Sequence, residues 1–208
     1  MAYIENFPCL TNLSVMAFYR RRLPHFDETE RSVFLTWRLH GSLPPNRVFP
    51  EKALTSGQAF VAMDKLLDET RTGPFYLRQP AIADMIVEAI EFNAAVLGHY
   101  ALHAFVIMPN HVHLLATPAV PLPKLTKSLK GITAKRANAM LRLTGTTFWQ
   151  EESYDHLVRN AQEFERIRNY IEQNPVRAGL VRESSDYLWS RGATGGSPAD
   201  QGVRPTAI

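Results

Sequence analysis

The sequence predicts an α+β fold, a ferredoxin-like sandwich in which an antiparallel β-sheet has helices packed on one face. Three observations lead there: a run rich in Val, Phe, Leu, Thr and Trp at residues 32–39, a Pro-Asn turn at 109–110 flanked by apolar residues, and helical apolar stripes between and after these strands. The resulting order is strand, helix, two hairpin strands, helix, strand and helix. It suits an antiparallel sheet with its helices segregated to one side.

The elements follow in order. Residues 1–19 show no usable period and are expected as an N-terminal extension. Tyr19 then precedes Arg20, Arg21 and Arg22, an aromatic beside three cations that can stack on a base and touch phosphate, or stand as a solvated run. Ser32 to Leu39 reads as a well-buried strand, and His40-Gly41-Ser42 turns it outward. Prolines 44, 45 and 50 and Gly57 break up the next stretch, within which Phe60, Met63, Asp64, Leu66 and Leu67 suggest a short helix. Gln79-Pro80 opens a firmer one: proline suits the first helical position, Ile82, Met85, Ile86, Ala89, Ile90, Asn93 and Leu97 keep a helical stripe, and Gly98 stops it.

The hairpin strands are expected at about 100–108 and 111–117. Leu122, Leu125, Leu129, Ile132, Ala139 and Leu143 mark another helix, with Gly131 a weak point inside it. Residues 146–150 and 155–158 look extended, and Asn160 caps a last helix with Glu163 three positions later. Residues 182–208 read as a C-terminal arm and a tail rich in Gly, Ser, Pro and polar residues, which predicts disorder.

The 208 residues, 45% apolar and 10% aromatic, favour one domain with an ample core. No apolar run approaches the length of a membrane span and no signal peptide is evident, so a soluble protein of the cytoplasm is the default. A single cysteine, Cys9, excludes an internal disulfide and argues against a Cys-rich zinc site. The net charge of +3 is modest but unevenly spread. Between Glu91 and Glu151 there is no acidic residue, while Lys124, Lys127, Lys130, Lys135, Arg136 and Arg142 fall inside that interval. Such segregation predicts a positive surface around the hairpin, as a polyanion would require; the plainer reading is a solvated helix face.

The hairpin carries the chemistry. His111 and His113 lie two apart around Val112, and strand side chains alternate, so both imidazoles point to one face and can reach one ion. Paired histidines on a strand are more often packing residues than ligands, so spacing alone does not decide. On the last helix Tyr170 and Asn174 are one turn apart on a shared face, although Pro175 disfavours helical angles at Asn174 and leaves Gln173 as a substitute.

The run Met108-Pro109-Asn110-His111-Val112-His113-Leu114-Leu115 resembles the His-hydrophobic-His motif of single-tyrosine transposases, especially the REP-associated tyrosine transposases of bacteria. Two further segments resemble that family in the same order: Phe148-Trp149-Gln150 with Tyr154 to Arg159, and Tyr170-Ile171-Glu172-Gln173-Asn174-Pro175-Val176-Arg177-Ala178-Gly179-Leu180-Val181. The likeness runs over residues 20–181, the expected transposase domain.

The resemblance implies the same ferredoxin-like fold. It implies that Tyr170 is the catalytic nucleophile and that Asn174 completes a metal site with His111 and His113. Two imidazoles and an amide oxygen with open positions suit Mg²⁺ or Mn²⁺, and do not exclude zinc. The implied reaction is cleavage of single-stranded DNA through a 5′-phosphotyrosine link, followed by strand transfer. The implied partner is single-stranded DNA carrying REP-like hairpins, with the protein acting as a monomer or homodimer and without a membrane. Lys124, Lys127, Lys130, Lys135, Arg136, Arg159 and Arg20 to Arg22 are the expected DNA contacts. Tyr154 is the rival nucleophile. Two other functions stay open: a domesticated protein that grips hairpin DNA or RNA without cutting, and an unrelated phosphate hydrolase, which would want carboxylate ligands that the hairpin region lacks.

Overall fold

A computed structural model describes residues 31–43 and 56–192. The N-terminal extension, Arg20, Arg21 and Arg22, and the tail beyond residue 192 lie outside the described residues. Five strands form one antiparallel sheet: β1 Val33–Arg38, β2 Tyr100–Ile107, β3 His111–Pro118, β4 Tyr154–Leu157 and β5 Ser190–Arg191, in the spatial order β4-β1-β3-β2-β5. Four helices accompany them: α1 Ser56–Glu69, α2 Pro80–Ala95, α3 Leu122–Leu141 and α4 Ala161–Arg177. This is the α+β class with an antiparallel sheet expected from the element order, except that helices expected on one face cover both.

Val33, Leu35 and Trp37 of β1 pack with Val112, Leu114 and Ala116 of β3, and the apolar stripes of α2 and α3 close over them. The alternate residues Phe34, Ala104, Val106 and Leu115 face the other way, where Phe60 of α1 and Phe164, Ile167 and Ile171 of α4 cover them. The layer on one face is therefore α2 with α3, and α1 and α4 add a second layer on the opposite face. Cover on both faces explains why β1 reads as a continuous apolar run rather than an alternating one.

Local chemistry sets the ends of these elements. The turn between β2 and β3 is closed by the Met108 N–H donating to the His111 carbonyl at 2.8 Å, with Pro109 and Asn110 at the tip. Asn160 caps α4 by accepting the Glu163 N–H at 2.8 Å. At its other end α4 continues through Pro175 to Arg177, so Asn174 stays helical. Gly179, at φ +68°, then lets the Leu180 N–H reach the Pro175 carbonyl at 2.9 Å and the Gly179 N–H reach Val176 at 3.0 Å, which satisfies the last carbonyls.

The arm expected after residue 181 folds back onto the sheet edge. Its Tyr187 hydroxyl donates to the Ile107 carbonyl at 2.8 Å, and the Ile107 N–H donates to Trp189, before β5 pairs with β2. Among the described residues no helix is long and apolar enough to cross a membrane.

Candidate metal and tyrosine site

Three elements converge on the face of the sheet that carries α1 and α4. His111 and His113 project from β3 with 0% exposure, and their Nε2 atoms stand 3.1 Å apart. Their distal nitrogens are held from behind. The Asn110 amide donates to the Leu67 carbonyl at 2.9 Å and so turns its oxygen toward His111 Nδ1, at 2.7 Å. That makes Nδ1 the protonated nitrogen and leaves Nε2 of His111 a bare lone pair. His113 Nδ1 is 2.7 Å from the Thr36 hydroxyl on β1, the residue directly opposite it in the ladder. Phe34, Phe60 and Tyr170 ring His113 with centroids 5.5, 6.1 and 5.8 Å away, which keeps the spot dry.

From α4 come Tyr170 and Asn174, one turn apart as their spacing requires. Asn174 is 0% exposed, with its amide nitrogen 3.3 Å from His113 Nε2, whereas Gln173 turns away to Ser184 at 3.4 Å. The geometry therefore favours Asn174 over its neighbour.

The third contributor is Asp64 of α1, 1% exposed. Its Oδ1 lies 3.1 Å from His113 Nε2 and 3.5 Å from His111 Nε2, and its Oδ2 accepts the Tyr170 hydroxyl. The sequence had shown this residue only as part of a short helix. Its signal was there to read: Phe60, Asp64 and Leu67 fall on one helical stripe, so the carboxylate occupies a position that packing assigns to an apolar side chain. The hairpin region itself lacks a carboxylate, as expected, and the site receives one from a helix distant in sequence.

Burial alone would raise the Asp64 carboxyl, but His113 and His111 facing it, together with the Asn174 amide, outweigh burial and hold it below the ordinary carboxylate value. Burial, reinforced by His113, pushes His111 down to about 3, so its imidazole is neutral near pH 7. Asp68, one turn beyond Asp64, is pushed up to about 7 by its burial and by the charge on Asp64.

The donor set fits a cation. Ligand atoms of Asp64, His111 and His113 all lie within 4.8 Å of one another. Donors sharing an ion at about 2.1 Å stand roughly 3.0–3.4 Å apart, close to the separations found here. Moreover, Asp64 Oδ1 and Asn174 Oδ1 are buried and accept no hydrogen bond. Asp64 Oδ1, orphaned between the two imidazole Nε2 atoms, is costly to bury unless something positive lies against it.

The other expected residues are elsewhere. Tyr154 is 7% exposed and stacks on Phe60 with centroids 4.4 Å apart. His156 and the backbone of Arg159 engage Glu163, leaving the Arg159 side chain exposed. Lys124, Lys127, Lys135 and Arg136 are exposed on α3, across the sheet from the histidines, and Arg136 pairs with Glu88 at 3.1 Å. Lys130 turns inward, donating to the Gln150 and Glu151 carbonyls at 2.8 and 2.7 Å. The acid-free interval therefore does not surround the histidine hairpin with charge, because its lysines ride on a helix that packs against the other face.

Residues 77–174 match the family model described as transposase IS200 like. Over this stretch, a little under half of the chain, the sequence is similar to IS200-like transposases. The REP-associated tyrosine transposase of Escherichia coli K12 is 26% identical over 92 residues, covering 44% of this chain and 53% of that relative, so the match spans about half of the relative's length. The solved structure of a REP-associated tyrosine transposase bound to a REP hairpin superposes with a TM-score of 0.51 at 17% identity, over 81% of this chain and 79% of that one. At that identity the likeness supports the fold alone. Asp64 lies outside the stretch that the family model matches.

Proposed function

We propose that this IS200-like core cleaves and rejoins single-stranded DNA beside a hairpin, with Tyr170 as nucleophile. The observation that carries the reading is the convergence of the Tyr170 hydroxyl with His111, His113 and Asn174 around one buried, proton-poor point. A divalent cation held by His111, His113 and Asn174, of the Mg²⁺ or Mn²⁺ kind, would neutralise charge on the scissile phosphate.

The chain's own groups do the rest. Asn110 and Thr36 fix the two imidazole rings from behind, so that both Nε2 atoms face the phosphate site without reorganisation. The α4 backbone holds Tyr170 one turn from Asn174, so its oxygen is presented on the side where the phosphate must sit. Tyr170 Oη bonds to phosphorus and gives up its proton, the bond from phosphorus to the 3′-oxygen breaks, and that oxygen takes up one proton to leave as a 3′-hydroxyl, so the step is neutral in protons overall. The phosphotyrosine conserves the bond energy, so attack by another 3′-hydroxyl reverses the step and joins strands without an outside energy source.

Hairpin DNA is the proposed partner, by analogy with the REP-associated relative. Lys124, Lys127, Lys135 and Arg159 are the exposed cations proposed to hold its backbone. Lys130 is committed to the fold. The test is incubation of the protein with labelled single-stranded hairpins from the flanks of its own gene, with Mn²⁺. A covalent protein-DNA product abolished by chelator and mapping to Tyr170 is expected. A product carrying an ordinary 5′-phosphate, or an adduct on Tyr154, overturns the reading.

A further inference from the structure

Asp64 is a charged group at the site that lies outside the stretch matched by the family model. It comes from α1, outside the matched residues 77–174, and two independent features point it into the centre. Its Oδ1 is buried, accepts no hydrogen bond and faces both Nε2 atoms at 3.1 and 3.5 Å. Its Oδ2 accepts the hydroxyl of Tyr170 and lies 3.5 Å from the Asn174 amide. A carboxylate has acceptor sites on both oxygens, so one group can face a cation on one side and a phenol on the other.

We propose that Asp64 is a fourth cation ligand and at the same time the positioning residue for Tyr170, so that loading of the centre and placement of the nucleophile are coupled through one carboxylate. The inference rests on the tyrosine-transposase reading and extends it. With Asp64 the donor set becomes two imidazoles, an amide and a carboxylate. This hard anionic oxygen tightens binding of a divalent ion relative to the neutral set. The ring of Tyr170 already packs against Phe34 and Phe60, and the same contact holds its oxygen on the cation side. Placement of that kind is what an in-line attack needs, and small displacements of a nucleophile are heavily penalised. Asp64 belongs to α1, a helix that packs on the site through Phe60, so the device is carried on an element outside the stretch that the family model matches.

The test compares wild type, Asp64→Asn and His113→Ala in two measurements. The first is Mn²⁺ binding to the DNA-free protein by calorimetry. The second is the single-turnover rate of covalent adduct formation on a labelled hairpin at saturating Mn²⁺. Asp64→Asn is expected to weaken Mn²⁺ binding tenfold or more, and to leave the saturated rate at least tenfold below wild type with hairpin affinity unchanged. A merely structural role would not produce a rate defect that persists after the centre is filled.

Mn²⁺ affinity within twofold of wild type would overturn the ligand role. A rate fully restored by excess Mn²⁺ would overturn the positioning role. If wild type and His113→Ala take up Mn²⁺ alike, the underlying metal reading fails instead, which separates the two failures. Thermal unfolding in chelator monitors folding. Should the Asn variant be unfolded, Asp64→Ser, whose hydroxyl is small enough for the same pocket, answers the same two questions.

Discussion

At the scale of single residues the site is defined by which atom carries a proton. Tyr170→Phe keeps the ring against Phe34 and Phe60, at 6.2 and 6.1 Å, and deletes only the oxygen that Asp64 accepts. The variant is expected to fold, bind Mn²⁺ and bind hairpin DNA, yet yield no covalent product on a denaturing gel. Adduct formation by the Phe variant would transfer the role to another residue. His111 supplies a pH prediction. Its folded value of about 3 lies below its ordinary value, so an unfolded chain takes up a proton at His111 before the folded one does. The stabilisation is therefore complete above about 6.5 and is lost progressively as pH falls toward 3. Asp64, held low, acts with the same sign. Thermal midpoints of the chelated protein should fall on acidification from pH 7 to pH 4, and less steeply in His111→Gln. A midpoint independent of pH in that window contradicts the burial argument.

At the scale of elements, α4 is the part whose ends matter. Both are chemically capped, by Asn160 at the start and by Gly179 at the finish, but only the C-terminal end holds Asn174. Asn160→Ala removes one cap bond and should cost about 1 kcal/mol. Gly179→Ala forces a side chain into the left-handed region and should cost about 1–2 kcal/mol. Differential scanning calorimetry should show comparable losses of thermal midpoint for the two. Mn²⁺ affinity is expected to separate them, falling severalfold in Gly179→Ala and remaining unchanged in Asn160→Ala. Equal effects on metal would mean that fraying at residue 179 does not reach Asn174.

At the scale of the whole molecule, the sheet separates two surfaces. The proposed cation site lies under α1 and α4, and the lysines of α3 lie across the sheet from it. Replacing Lys124, Lys127 and Lys135 together by Ala should therefore weaken hairpin binding and flatten its dependence on salt, because fewer counterions are released, while leaving Mn²⁺ affinity untouched. A salt slope equal to wild type in a fluorescence titration would place the DNA on another surface. A change in Mn²⁺ affinity would contradict the separation of the two faces.

The sequence by itself determined the features that local rules govern. The Pro-Asn turn, the two histidines on one face, the Asn160 cap, the Gly98 stop and the one-turn spacing of Tyr170 and Asn174 all depend on neighbours within a few residues. Periodicity and turn chemistry capture such relations. The helical state of Asn174 was decided by tertiary structure: Pro175 argues for an early helix end, yet Pro175 and Ile171 are both buried and packing carries α4 two residues further. Only the fold could show that α3 lies across the sheet from the histidines, since a run of lysines has no address until its helix chooses a face. Only the fold could bring Asp64 to the site, because a carboxylate 47 positions before His111 has no periodic relation to it. What joins them is the packing of α1 against the sheet through Phe60, a long-range contact that carries no local signature beyond one charged residue on an apolar stripe.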